Sequence, residues 1–250
     1  MSVGEIVAIV AAGLAAGAIN TLVGSGTLIT FPALLGFGYA PVTANVTNTV
    51  GLVFGNVSGA LGYRHELEGQ RQRALRLGAM SLAGGVTGAV LLLVLPASAF
   101  KAIVPVFIAA ALVLVVLQPR LVAMLARREI NLEDGVVLVP LGVYVAGVYG
   151  GYFGAAQGIL LLGILGAALA QDLQRTNALK NVLVGIVNGV AAVYFAIAAH
   201  VDWGPAGIIA VASIVGAQLG ARYGRRLPPN ALRALIVAVG IFAVVHLLVE

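Results

Sequence analysis

Apolar positions fill the chain in eight long runs, at roughly 6–38, 42–63, 77–95, 99–118, 135–170, 177–198, 204–221 and 233–249, parted by short clusters of charge and turn residues. A hydrocarbon layer about 30 Å thick takes about 20 apolar residues per helical pass. Most runs therefore predict one membrane-spanning helix each. Helices are the default, because a spanning segment must satisfy its own backbone hydrogen bonds and the alternation of barrel strands is absent. The first and fifth runs hold 33 and 36 residues, too many for one pass. Glycines interrupt both near the middle: Gly24-Ser25-Gly26 in one, Gly150-Gly151 and Gly154 to Gly158 in the other.

A shift of 132 lays one half of the chain on the other. Gly26 meets Gly158, Asn45 meets Asn177, Asn56 meets Asn188 and Ser81 meets Ser213, and the register continues through Gly84 with Gly216, Gly88 with Gly220 and Pro96 with Pro228. Such repeats are a usual construction of secondary transporters.

Loop charge tells whether the halves run the same way, because short cytoplasmic loops collect Arg and Lys. Residues 64–76 carry Arg64, Arg71, Arg73 and Arg76, and their counterparts at 196–208 carry none. Conversely, 222–233 hold Arg222, Arg225, Arg226 and Arg233 against the single Lys101 in 90–101. Equivalent loops face opposite sides, so each glycine-broken run enters and leaves on one face, as a re-entrant hairpin or a pair of short spans. The expected fold is an all-α integral membrane protein of two inverted-topology repeats, each with a broken or re-entrant first hairpin followed by three transmembrane helices. The first repeat is expected at 1–118, a cytoplasmic linker with Arg120, Arg127 and Arg128 at 119–133, and the second repeat at 134–250. Both termini, with His200, Asp202 and Trp203, fall outside the cell membrane.

Composition agrees. Of 250 residues, 61% are hydrophobic and 9% charged, against roughly 25% charged in a soluble domain. The mean hydropathy is +1.07. The net charge of +5 does not indicate nucleic acid, because the basic residues sit in short clusters beside apolar runs. The N-terminus has no basic stretch before its apolar run and reads as retained rather than as a signal peptide. There is no cysteine, which removes thiolate chemistry and sulfur-ligated metals. All nine acidic residues lie at helix ends or in loops, so no carboxylate stands at mid-membrane to hold a metal cation or relay protons.

Candidate chemistry lies elsewhere. Asn20, Thr21, Gly24, Ser25, Gly26 and Thr27 would put non-helical backbone inside the membrane, where it must line a protein-buried or watered cavity. A helix restarting there aims free N–H groups at an anion. Asn45, Asn48, Thr49 and Asn56 fall on one helical face, and Asn177, Lys180, Asn181 and Asn188 repeat those offsets. Buried amides are costly unless paired, and two matching stripes suggest a polar site at a pseudo-twofold axis. Inter-helix hydrogen bonding explains them equally, and Asn45 and Asn177 also suit helix capping. Lys180 either neutralises an anion or snorkels to the cytoplasmic face. Gly51-xxx-Gly55-xxx-Gly59 and Gly216-xxx-Gly220-xxx-Gly224 read as packing stripes. His65, His200 and His246 carry no pattern that supplies a base to Ser25, which disfavours an intramembrane hydrolase.

Gly24-Ser25-Gly26-Thr27-Leu28-Ile29-Thr30-Phe31-Pro32-Ala33-Leu34, then Ala44-Asn45-Val46-Thr47-Asn48, resembles the glycine-rich first motif of the sulfite exporter TauE/SafE family of permeases. Gly150 to Gly158, Asn177 to Asn181 and Val187 to Ala192 are similar to its second motif, except that Ala156 and Gln157 replace glycines and Ile164 replaces a proline. The resemblance implies a multi-pass permease of the cytoplasmic membrane for sulfite, thiosulfate or an organosulfonate. Gln157 and Gly158 join the candidate site, where Gln157 is itself a donor to an oxyanion. The expected function is transport by alternating access between the halves, with a passive anion channel or a lipid-processing intramembrane enzyme as alternatives. No cofactor, metal or nucleic acid is called for. The expected partners are the lipid bilayer and a small sulfur-containing anion, and homo-oligomerisation stays open.

Overall fold

The computed structural model describes residues 1–125, 132–169, 171–223, 234, 236–242 and 244–245. Arg127 and Arg128 of the expected linker, Gly224, Arg225, Arg226, Pro228 and Arg233 of the expected last loop, and His246 lie outside the described residues, as does most of the expected helix over 233–249. Among the described residues the chain is all helix and turn: α1 (Val3–Leu22), α2 (Thr27–Gly36), α3 (Pro41–Gly62), α4 (Arg71–Val94), α5 (Ala97–Leu125), α6 (Leu132–Tyr152), α7 (Gln157–Ala168), α8 (Leu173–Ala198) and α9 (Trp203–Tyr223), with further helix at 236–242. Five of these are long and apolar enough to cross a membrane.

Local chemistry sets the helix ends. Ser2 and Glu5 form a reciprocal cap at the start of α1, each accepting from the other's backbone N–H. Pro41 opens α3, where a missing N–H costs nothing. Asp172 caps α8 by accepting from the N–H groups of Gln174 and Arg175. α1 and α6 end by the same device. Gly24 and Gly154 take φ of +83° and +78°, and their N–H groups reach back to Ile19 O and Tyr149 O, each at 3.1 Å. Only a glycine adopts that left-handed turn without strain.

Both long apolar runs are thus broken helices. After the first break the chain doubles back: Tyr39, just beyond α2, donates to Glu5 Oε1 in the first turn of α1 at 3.3 Å. Burial and that carboxylate push the Tyr39 hydroxyl above its usual pKa. In the second hairpin a Cβ on Gly142 of α6 would lie 3.3 Å from Ile164 Cδ1 of α7, so these helices also lie side by side.

The helices interlock across the two halves of the sequence. α1 packs along α9, α4 along α6, and α3 against both α8 and α9. Glycines permit the close approach, since without side chains the backbones come into contact. A Cβ on Gly51 or Gly55 would lie 2.7 Å from Ile209 or Ser213 side-chain atoms, and one on Gly220 would lie 2.8 Å from Ala18 O. Gly84 and Gly88 of α4 abut the α6 backbone at Tyr144 and Val148 in the same manner.

One end of the bundle gathers Glu5, Tyr39 and the start of α9, where Asp202 N–H donates to Thr47 Oγ1 (3.0 Å). The other end joins the α3–α4 connection to the start of α8: Arg175 donates to Glu68 O (2.7 Å), Gln70 Nε2 to Arg175 O (3.1 Å) and Arg73 to Gln171 Oε1 (3.1 Å). α3 and α8 run in opposite senses, since Asn56 lies beside Gly185 while Val53 lies beside Gly189.

Candidate functional site

The two breaks meet inside the bundle. Gly158 N–H donates to Gly24 O (3.2 Å), and a side chain on either glycine would strike the other's backbone. Around this crossing the polar stripes of α3 and α8 make matching contacts. Asn45 Nδ2 donates to Tyr152 O at the end of α6 (3.0 Å), and Asn177 Nδ2 donates to Thr21 O at the end of α1 (3.1 Å). Each amide from one half satisfies a C-terminal carbonyl of the broken helix of the other, carbonyls that a helix end leaves without intrahelical partners. Neither asparagine caps its own helix, because the cap positions are Ala40 and Asp172.

Lys180 does not snorkel. It is 0% exposed, and its Nζ donates to Asn20 O (3.1 Å) and Thr21 O (3.2 Å). Its nitrogen thus sits at the carbonyl end of α1, the negative end of that helix's dipole. Its stem lies over the crossing, with Cδ 3.1 Å from where a Cβ on Gly158 would stand. An ammonium has three donors, and two are engaged. Lys180 is the only buried charged side chain among the described residues, and it forms no ion pair with any of them.

Other predicted positions divide into satisfied and unsatisfied groups. Asn20 bridges the first break, accepting from Gly26 N–H (3.3 Å) and donating to Asn56 Oδ1. Asn48 joins α3 to the start of α2, donating to Thr27 Oγ1 (3.3 Å) and accepting from Thr30 Oγ1. Thr21 and Thr49 turn their hydroxyls back to Gly17 O and Asn45 O, both at 2.9 Å. By contrast, Ser25 Oγ, both amide atoms of Gln157, Asn181 Nδ2, Asn56 Nδ2, and the Oδ1 atoms of Asn45 and Asn177 are buried with no protein partner. Each such group costs about 1–3 kcal/mol if nothing satisfies it. Ser25 and Gln157 are the chain neighbours of the crossing glycines Gly24 and Gly158, so two of these residues flank the crossing directly. Asn188 is buried farther along α8.

Two contributors escaped the sequence reading. Thr30, one helical turn beyond Gly26, completes the Asn48 contact, and helical spacing from Thr27 would have found it. Tyr152 supplies the carbonyl for Asn45 and buries an unpartnered hydroxyl, a role that no local signal announces.

A charge-poor helical bundle, with five apolar helices among the described residues long enough to span a bilayer, is the build of a multi-pass membrane protein. Residues 9–247 match the family model described as "Sulfite exporter TauE/SafE", and the chain belongs to that family. It is 30% identical over 237 residues to "Probable membrane transporter protein ORF9" of a Sinorhizobium species, covering 94% of this chain and 89% of the relative. It is 25% identical over 225 residues to "Probable membrane transporter protein YfcA" of Escherichia coli, covering 90% and 82%. A "Probable membrane transporter protein" of Haemophilus influenzae is 25% identical over 232 residues, covering 90% and 87%. No solved structure matches the chain.

Proposed function

We propose that this chain is a permease of the cytoplasmic membrane that moves a small sulfur oxyanion or sulfonate by alternating access between two inverted repeats. The observation that carries the reading is Lys180: a buried amine with no carboxylate partner among the described residues, near unpartnered hydroxyl and amide donors. A dehydrated anion needs such a set, because an ion loses its hydration on entering a low-dielectric interior and must regain it from fixed donors. Ser25, Gln157, Asn181 and Lys180 form the centre of the binding site. Asn20, Thr21, Gly24, Gly26, Thr27, Asn45, Asn48, Thr49, Asn56, Gly158, Asn177 and Asn188 shape and orient it.

Inversion is supported by the exchange of Asn45 and Asn177 between halves and by the opposed directions of α3 and α8, which occupy equivalent positions in the duplicated sequence. The arginine-bearing end, with Arg64, Arg71 and Arg73, is the cytoplasmic one, and the N-terminus lies outside. Rocking of one half against the other would part the Gly24–Gly158 crossing and expose the solute to alternate sides.

The test is uptake of radiolabelled sulfite into proteoliposomes of the purified chain. Time-dependent accumulation that unlabelled sulfite suppresses and protein-free vesicles lack is expected. Wild-type vesicles no more permeable to sulfite than empty ones would refute the proposal.

A further inference from the structure

We infer that the site selects its solute by charge, taking a singly charged anion such as a sulfonate or hydrogensulfite and rejecting the dianions sulfite, sulfate and thiosulfate. The inference rests on the anion reading above and adds a constraint to it. Three observations lead there.

First, the buried positive charge among the described residues is one, Lys180. The position related to it by the 132-residue offset is Asn48, a neutral amide already engaged with Thr27 and Thr30. A monoanion beside Lys180 makes a neutral pair. A dianion leaves one uncompensated charge in a low-dielectric interior, where neutral donors do not replace its hydration. Second, the other cationic side chains of the described residues are Arg64, Arg71, Arg73, Arg76, Lys101, Arg120, Arg175 and Arg222, and none of them is buried. Third, the orphaned groups are of both kinds. Ser25, Asn181 and Asn56 offer donors, whereas Asn45 Oδ1, Asn177 Oδ1 and Gln157 Oε1 are acceptors without a donor. A fully deprotonated oxyanion satisfies only donors. Hydrogensulfite brings a hydrogen of its own, so such an acceptor suits it better than the bare dianion, whereas a sulfonate is taken on charge alone. The proton then travels on the solute, and no carboxylate in the bundle is needed to carry it.

The experiment is competition against radiolabelled sulfite uptake in proteoliposomes of the whole chain, with methanesulfonate as a permanent monoanion and with sulfate and thiosulfate as dianions. Methanesulfonate is expected to inhibit at concentrations at least about tenfold below those needed of either dianion. Above the pKa of the second ionisation of sulfurous acid, the apparent sulfite affinity relative to that of methanesulfonate at the same pH should fall about tenfold per pH unit, following the hydrogensulfite fraction. Taking methanesulfonate as the reference at each pH cancels any titration of the protein, since both solutes meet the same site. Equal inhibition by sulfate and methanesulfonate, or a ratio of sulfite to methanesulfonate affinity that stays flat with pH, would each overturn the inference while leaving anion transport intact. If sulfite is not taken up at any pH, the permease reading and this inference fail together.

Discussion

Replacing Lys180 with methionine separates what the ammonium does for the fold from what it does for the solute. Methionine keeps the unbranched stem that crosses Gly158 and removes the charge and two hydrogen bonds. The fold loses less than the count suggests. Thr21 O keeps its bond from Asn177 Nδ2, so only Asn20 O is stranded, at a cost of about 1–3 kcal/mol. Against this stands relief from burying an unpaired cation, and exchange of buried ionic groups for packed apolar ones is often neutral or stabilising. The net change should lie within about 2 kcal/mol. The proposed solute, in contrast, loses the only buried charge among the described residues. Removing one partner of a buried charge pair costs about 3–5 kcal/mol, which is roughly a hundredfold or more in affinity. The assay pairs thermal unfolding in detergent, with and without sulfite, with proteoliposome uptake. Lys180→Met should unfold within a few degrees of wild type, lose the stabilisation conferred by sulfite, and transport at background. Uptake at the wild-type rate by the folded variant would refute the assignment of Lys180 to the solute. A variant that no longer folds would refute the estimate that the lysine is nearly neutral for stability.

Gln157→Leu removes two buried unpartnered polar atoms, so the variant should be more stable by about 1–3 kcal/mol yet bind sulfite more weakly, read as a raised melting temperature with raised half-saturation. Gly24→Ala puts a Cβ into the Gly158 backbone at a left-handed φ of +83° and should cost about 2–5 kcal/mol, whereas Gly36→Ala, whose nearest neighbour would be Phe242 at 3.5 Å, should unfold like wild type. Because the chain has no native cysteine, single substitutions report sidedness directly: in intact cells Trp203→Cys should react with an impermeant maleimide and Arg73→Cys only after permeabilisation, and the reverse pattern would overturn the proposed orientation.

The helices were legible where their ends carry local chemistry. Runs expected at 42–63 and 204–221 appear as Pro41–Gly62 and Trp203–Tyr223, bounded by a proline, a tryptophan and polar loops. The expectation was late at 77–95 and 177–198, because hydropathy excludes the arginines and Gln174 that open α4 and α8. Arg71, Arg73 and Arg76 form the exposed first turns of α4. The split of the two long runs followed from their glycines. The partners of the polar stripe did not follow, since Asn45 and Tyr152 are 107 residues apart and the acceptor is a backbone carbonyl, identical in every residue. Sequence periodicity placed Asn45 on a buried face; only the packing of α3 against the end of α6 says what it touches. The same limit left Lys180 between two readings, because the choice between snorkelling and burial depends on the α1 carbonyls it meets.

The proposed pairing of two inverted halves would set an asymmetric site in a symmetric frame. Among the contacts that keep the helices together, Asn45 and Asn177, 132 residues apart, each donate to a carbonyl of the opposite half, and the two broken helices stop by the same glycine turn at Gly24 and Gly154. Change at either member would leave a buried carbonyl orphaned or a turn strained. The positions free of that constraint have diverged: Asn48 against Lys180, and Thr49 with its hydroxyl engaged against Asn181 with its amide nitrogen unpartnered. The second half carries the charge and the first closes around its own α2 through Thr27 and Thr30. Moving the lysine to the other half, as Asn48→Lys with Lys180→Asn, should therefore fail to restore uptake, because Thr27 and Thr30 already fill the space that Asn48 faces while Asn20 O loses its cation.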